Sequence, residues 1–513
     1  MRKYFIFEKL GIVMLVLLAL ASCKKQEMPE NGYSKGRGSM KKLDITFYGL
    51  AGGTVIDKIS ISDNRTSILG TATITGLQPQ ETILAIDFRP ATGHLYGISS
   101  GSRLYVINPL TGAARMIGPA PINPVLSGNI AGFDFNPTVD RIRLVTSSGQ
   151  NLRLNPETGT VAAADLPING VTGAMITGVA YTNNVAGAAT TTLYDIDVTT
   201  QKLYRQIPPN DGKLVEVGPL KLKVTGEGGF DISPIDSIAL GLYTVNNIPT
   251  IFKVNLSTGE ATTLAKSEKK VPYTGIAIPT NPVAYAVDMT NNLLIFNPAN
   301  PGKVITKMIS GLAMGEKVAG IDFRPSNGQL YALTNNSRII TLNASSGASA
   351  NVGTLSTPLS GTDFGFDFNP TVDRIRIISN TGQNLRYNPN DPSLPVTVDG
   401  SLNPGSPTIT AAAYSNNFAG ATSTMLFDID VATDKLYLQS PPNNGGLVEI
   451  GNLNYNIDAA NGFDIGGTSG TAWAILMSNN RSRLFTINTT TGAATVKGDF
   501  PAMVNGFTIG LGF

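Results

Sequence analysis

Histidine, cysteine and tryptophan each occur once in 513 residues, as His94, Cys23 and Trp473. This scarcity excludes multi-histidine zinc centres, cysteine–histidine dyads and any disulfide within the chain, and a Ser-His-Asp triad could draw only on His94. Charge is thin as well: Asp, Glu, Lys and Arg make up 14% of the chain, against about a quarter in ordinary domains. The apolar run from Leu10 to Ala21 is twelve residues long, short of the roughly 20 needed to span a bilayer. What is present is 42% hydrophobic residues, ample for a core, and 55 glycines, well above the usual share of about 7%. Few charges with much Gly, Asn and Thr suit short strands and tight turns better than long helices. The length allows two to four domains.

The amino terminus carries a sorting message. Arg2, Lys3 and Lys9 precede the apolar run, which ends in Leu20-Ala21-Ser22-Cys23. This arrangement has the parts of a signal peptide, and its end resembles a bacterial lipobox, in which the cysteine becomes the lipid-bearing first residue. Residues 1–22 are therefore expected to be removed, leaving acylated Cys23 to hold the protein to a membrane without spanning it. Removal takes Arg2, Lys3, Lys9 and Glu8 with it, which cancels the formal net charge of +2. A near-neutral mature chain is not expected to bind nucleic acid or an anionic membrane face. Residues 23–42 are polar with Pro and Gly, and read as a flexible tether reaching roughly 25 Å. The expected location is the bacterial cell envelope, anchored to the outer membrane and facing the periplasm or the surface.

The rest is one pattern written twice. Phe133–Arg143, FDFNPTVDRIR, returns unchanged as Phe366–Arg376, and Gly149–Arg153 returns as Gly382–Arg386 at the same offset of 233. Each half of about 235 residues shows a fainter period of about 45, made of four short runs of β-branched, aromatic and Leu residues separated by turn residues. The Thr-Gly pairs at 111–112, 158–159, 258–259 and 491–492 recur at one hairpin position, where Gly would supply a positive φ. Tandem four-stranded units of this length predict an all-β chain of β-propellers. The first unit lacks an opening strand, while 274–279 and 506–512 are strands left over, each suited to closing a ring. Two five-bladed propellers, 43–280 and 281–513, are expected, with one ten-bladed ring as the alternative. The two rings are expected to share little core.

The segments GFDFNPTVDRIR, TGQNLR, AYTNNVAG and TLYDIDVTTQKLYRQIPPNDG resemble a family of secreted bacterial proteins known only as a domain of unknown function, over 82–237 and again over 317–470. The resemblance implies no activity and no catalytic residues. The individual blades are similar to propeller repeats of the quinoprotein-like and surface-layer-like kind, a group holding both binding proteins and enzymes.

One aspartate recurs in the first strand of three units per half: Asp87, Asp134 and Asp231, then Asp322, Asp367 and Asp464. The first strand of a propeller blade lines the channel, so these carboxylates are candidates for a cation site or the floor of a ligand pocket. The plainer expectation is that each accepts hydrogen bonds from the next blade's backbone or pairs with an arginine, Arg89, Arg141 and Arg143 being the nearby candidates, with Arg324, Arg374 and Arg376 as their counterparts. Asp134, Asn136 and Asp140, with Asp367, Asn369 and Asp373 in the second half, offer oxygens at i, i+2 and i+6, a loose match to calcium ligation without an EF-hand's Gly turn or terminal Glu. No cofactor is expected, calcium being the alternative. His94 is expected at the surface, since Gln329 stands at its counterpart position. Asn183 and Asn184 fall in a loop, where they could meet a ligand or serve only a turn.

Two classes of function follow. One is a non-catalytic binding or scaffold protein for a glycan, peptide or partner protein. The other is a carboxylate-based carbohydrate-active enzyme, which needs two carboxylates about 5–9.5 Å apart across a cleft. The scarcity of Glu in the repeated motifs favours the first. Nothing in the sequence bears on the oligomeric state.

Overall fold

A computed structural model describes residues 44–513. The lipobox, the signal segment and the tether lie outside the described residues. Among the described residues no helix is long and apolar enough to cross a membrane. Regular structure consists of strands and two single-turn 3-10 segments, Pro209–Asp211 and Pro442–Asn444.

The strands form ten four-stranded antiparallel sheets. Eight are built from four consecutive strands, as in Ile83–Phe88, Leu95–Ser99, Leu104–Ile107 and Ala114–Ile117. The other two are composite. Tyr273–Ala277 pairs with Asp44–Ala51 as the inner strand of the first blade, and Val504–Ile509 pairs with Ala284–Asp288 in the same role. The inner strands Tyr273–Ala277, Ile83–Phe88, Ala131–Asn136, Ile176–Tyr181 and Thr225–Ile232 pack each on the next, and the last returns to the first. Val504–Ile509, Val318–Phe323, Phe364–Asn369, Ile409–Tyr414 and Ala459–Ile465 make a second closed cycle. The chain is thus two five-bladed propellers in tandem, each pinned shut by a strand from its far end, which leaves no free inner edge.

Two glycine positions set the spacing of the blades. Gly112, Gly159, Gly259 and Gly492 have φ of +77°, +65°, +78° and +81°. A Cβ on any of them would come within 2.0–2.4 Å of a carbonyl oxygen on the outer strand of the preceding blade. The Thr-Gly hairpin therefore serves both its own turn and the seat of the neighbouring blade. At the ring centre, a Cβ on Gly229 would meet Ile276 N at 2.3 Å, so glycine lets the inner strands close up.

The core lies between blades. Tyr96 packs edge-on against Phe135 of the next blade at 5.2 Å, and Tyr331 against Phe368 at 5.1 Å. Fully burying one such ring contributes about 1.5–3 kcal/mol, and each blade interface holds several.

The propellers meet more closely than expected from their sequence independence. Ala91 and Ala186 of the first belong to one buried cluster with Val283, Tyr285 and Leu511 of the second. Tyr285 Oη donates to Ala91 O at 2.9 Å, Arg89 Nη1 to Gly328 O at 3.0 Å, and Gly512 N to Thr92 O at 2.8 Å. The expectation of little shared core is corrected here: the last residues of the chain run across from one ring to the other, covering apolar surface on both.

Candidate functional site

The inner strand places one residue of each blade at the same height in the channel. In the first ring these are Asp87, Asp134, Ala180, Asp231 and Ala277; in the second, Asp322, Asp367, Ala413, Asp464 and Thr508. The three aspartates of each ring are fully buried, and one carboxylate oxygen from each lies within 4.8 Å of the others.

Each carboxylate also reaches the following blade. Asp87 Oδ2 accepts from Phe135 N at 2.9 Å, Asp134 Oδ1 from Tyr181 N at 3.2 Å, and Asp231 Oδ2 from Ile278 N at 2.6 Å. In the second ring Asp322 accepts from Phe368 N at 2.8 Å, Asp367 from Tyr414 N at 3.1 Å, and Asp464 from Ile509 N at 2.7 Å. Asp87, Asp231 and Asp464 further accept the backbone N–H of their own next residue. These bonds satisfy donors that a ring of splayed inner strands would otherwise bury unpaired.

Three carboxylates so close together, away from water, cannot all be ionised without compensation. Burial raises Asp87 well above the carboxylate range, with the charge of Asp231 adding to it. Burial also raises Asp134, helped by Asp87 and Asp231, and brings Asp231 to about 7. In the second ring burial raises Asp322 and Asp367 well above the ordinary value and Asp464 to about 6. Thr508 makes the consequence concrete. Its Oγ1 lies 3.0 Å from Asp322 Oδ1 and 2.7 Å from Asp464 Oδ2. A hydroxyl has one proton to give, so the second contact is a hydrogen bond only when the carboxyl carries a proton.

Several polar atoms at the triads have no partner among the described residues: Asp134 Oδ2, Asp367 Oδ2 and Asn417 Oδ1. Asn417 is fully buried, with its Nδ2 3.4 Å from Asp464 Oδ1. Its counterpart Asn184 is also fully buried, and neither end of its amide is partnered. The sequence places these asparagines in a loop; the structure seats them inside the ring, and only the fold could show it.

The arginine pairing expected for the channel aspartates is not formed. Asp134 stands directly opposite Arg143 in the sheet register, as Asp367 does opposite Arg376. Arg143 instead bonds to Asp165 and Asn151 at 2.7 Å, Asn210 at 2.7 Å and Tyr181 Oη at 3.3 Å. Arg376 repeats this with Asp399, Asn384, Asn443 and Tyr414. The long guanidinium finds carboxylates outside the ring, while the short aspartate side chain turns to the next blade's backbone.

Asp140 and Asp373 leave the calcium-like spacing as well. Asp140 takes a two-pronged contact from Arg89, through Nε at 2.9 Å and through Nη2, and Glu157 pairs with the same Nη2. Asp373 pairs in the same way with Arg324, beside Asn390. Asn136 and Asn369 accept from the threonine two residues on. The strand therefore ends between the two aspartates, so i, i+2 and i+6 do not converge. Arg141 lies 3.7 Å from Glu157 and donates to Asp140 O, whereas among the described residues Arg374 donates only to the carbonyls of Val372 and Asp373, at 3.1 and 3.0 Å. His94 is half-buried rather than a surface residue, its Nδ1 unpartnered, and burial together with Arg115 and Arg89 lowers it to about 3.

Beyond these, Asp195 and Asp428 are fully buried with both oxygens unpartnered, and burial raises both well above the ordinary value. They belong to the duplicated Tyr/Phe-Asp-Ile-Asp runs, a repetition that could have marked them from sequence.

Fold and site together define a tandem pair of five-bladed propellers, each closed around a buried triad of aspartates. The chain belongs to the family described as Domain of unknown function (DUF4394), whose model matches residues 59–277 and 292–509. No curated protein is matched by the sequence. Among solved structures, one chain described as the extracellular domain of a hybrid two component system from B. thetaiotaomicron is 11% identical with a TM-score of 0.26, over 91% of this chain and 73% of that one. A likeness of that order carries no functional argument.

Proposed function

We propose that this protein is a lipid-anchored, non-catalytic binding or scaffold module of the bacterial cell envelope, held by an acylated Cys23 and offering its propellers to a glycan or protein ligand. The observation that carries the non-catalytic reading is the burial of the recurrent carboxylates. A glycosidase needs two carboxylates across an open cleft. Here all six are closed inside the rings, mostly engaged by backbone N–H groups, where no substrate reaches them. The sorting message at Leu20–Cys23 supports the envelope location. A glycan array probed with the full chain, run beside a hydrolysis assay on the same glycans, tests the reading. Retention without turnover is the expected result, and turnover abolished by Asp134→Asn or Asp367→Asn would overturn it.

A second reading concerns the triads themselves. A divalent cation such as calcium prefers oxygen ligands and would neutralise most of the charge of three ionised carboxylates. Supporting it are the mutual approach of the carboxylate oxygens to within 4.8 Å and the unpartnered oxygens of Asp134, Asp367 and Asn417. Its role would be to lock each ring rather than to react.

A further inference from the structure

The two halves of the chain carry the same cluster of arginines, but they have diverged in charge. In the second propeller, Arg374, Arg376, Arg386, Tyr414, Val372 and Asn443 border a pocket of about 210 Å³. Asp399 is the carboxylate engaged there, bonding Arg386 at 2.6 and 2.9 Å and Arg376 at 2.6 Å. Those bonds, opposing the effect of its burial, hold Asp399 below its ordinary value, so it is ionised. Asp373 is likewise held low and is spent on Arg324. Three guanidinium groups thus face one available carboxylate, and Arg374 has no acidic partner among the described residues.

In the first propeller the corresponding arginines are Arg141, Arg143 and Arg153, and Arg141 has Glu157 at 3.7 Å. Asn390 stands where Glu157 would be. The turn beside the first cluster also touches the other ring, where Val139 O accepts from Asn343 Nδ2 at 3.3 Å. Val139 is 44% exposed all the same, and its counterpart Val372 53%. One substitution and one contact therefore separate the two arginine clusters, the second having one carboxylate fewer beside its three guanidinium groups.

From this we propose that the second propeller binds the carboxylate of an acidic sugar, a uronic acid, through Arg374 with Arg386 and Asn443 beside it. This rests on the binding reading above and names its ligand class. A guanidinium fork matches a carboxylate in two-pronged geometry. Arg376 fixes the Asn443 amide through a 2.8 Å bond to its Oδ1. That amide and the Asn369 amide suit a hydroxyl-bearing ring rather than an apolar one, and the volume holds about one sugar unit.

The test is calorimetric titration of the full chain with galacturonate, galactose and N-acetyl-aspartate. Galacturonate should bind, more weakly at high salt, with galactose and N-acetyl-aspartate at least tenfold weaker. Arg374→Gln should weaken galacturonate by tenfold or more. Arg374 is partly exposed and among the described residues bonds only two carbonyls, so melting should be unchanged. Independently, Asn390→Glu, which restores the carboxylate of the first ring, should weaken binding severalfold. Unchanged affinity in Asn390→Glu, or equal binding of galactose, would overturn the proposal, and equal binding of N-acetyl-aspartate would exclude the sugar. A glycan-array signal that survives Arg374→Gln would remove this pocket while leaving the binding reading in place; no signal for any glycan or protein would remove both.

Discussion

Raising the pH of the full chain from 5 to 8 in chelator is expected to lower its melting temperature, against the usual behaviour of carboxylate-rich proteins. An aspartate at about 7 in the folded chain and near 3.8 unfolded keeps its proton on folding where the unfolded chain has lost it. Its stabilising contribution is complete below about 3.8 and disappears as the pH rises through about 7. Over pH 5 to 8 that amounts to about 3 kcal/mol for Asp231 and, with Asp464 at about 6, about 1 kcal/mol more. Asp87, Asp134, Asp322 and Asp367, all raised, act in the same direction. His94 opposes them. Held near 3, it costs the folded chain up to about 2 kcal/mol at pH 5, a cost that vanishes above 6.5. His94→Gln, which installs the residue of the second ring, removes that opposition and should steepen the slope. At about 2–4 °C per kcal/mol for a unit of this size, the net fall should be at least about 4 °C. Scanning calorimetry at pH 5, 6.5 and 8, with chelator and with millimolar calcium, measures it. A melting temperature that is flat or rising in chelator with His94→Gln would refute the argument that the triads hold protons. Calcium should restore the loss at pH 8, and should fail to do so in the ring carrying Asp134→Asn or Asp367→Asn; an undiminished calcium effect in both variants would remove the cation reading.

The aspartates should also differ in what their removal costs. Asp87→Ala leaves two buried N–H groups unpaired, for about 2–6 kcal/mol, whereas Asp134→Ala leaves one at 3.2 Å, for about 1–3 kcal/mol. Urea titration should rank them in that order. Gly112→Ala should cost about 2–5 kcal/mol, from a left-handed φ and a Cβ 2.0 Å from Thr73 O, while Gly70→Ala, with nothing within 4 Å, should be near neutral. Thermal melts of the two variants provide the check. Mass spectrometry of the membrane fraction should find the mature chain beginning at an acylated Cys23, and Cys23→Ala should release the protein or leave it unprocessed; an unmodified start elsewhere would contradict the lipobox. Residues 281–513 produced alone should be less stable than the same ring in the full chain, because Tyr285 and Leu511 lose their cover at Ala91 and Ala186. Equal melting temperatures would show that the shared cluster contributes nothing.

Much of the architecture was legible along the chain, because a propeller repeats short-range patterns. Turn residues, strand alternation and the Thr-Gly hairpins are local, and the leftover strands at 274–279 and 506–512 pointed to closure, while the choice of two rings over one ten-bladed ring came from the packing of the inner strands. The recurrence of Asp87, Asp134 and Asp231, and of their second-ring counterparts, marked the channel positions in the same way. Partner choice was not legible. Asp134 and Arg143 are cross-strand neighbours, yet side-chain length sends one to Tyr181 N and the other to Asp165. Asn184 and Asn417, in a turn-like Asn-Asn pair, became buried only because the ring folds their loop inward. The contact between the rings arises from surfaces with no sequence period. Periodicity records how a strand meets its neighbours in the sheet; which charges meet, and which remain unpaired, depends on distances between blades that exist only once each ring has closed.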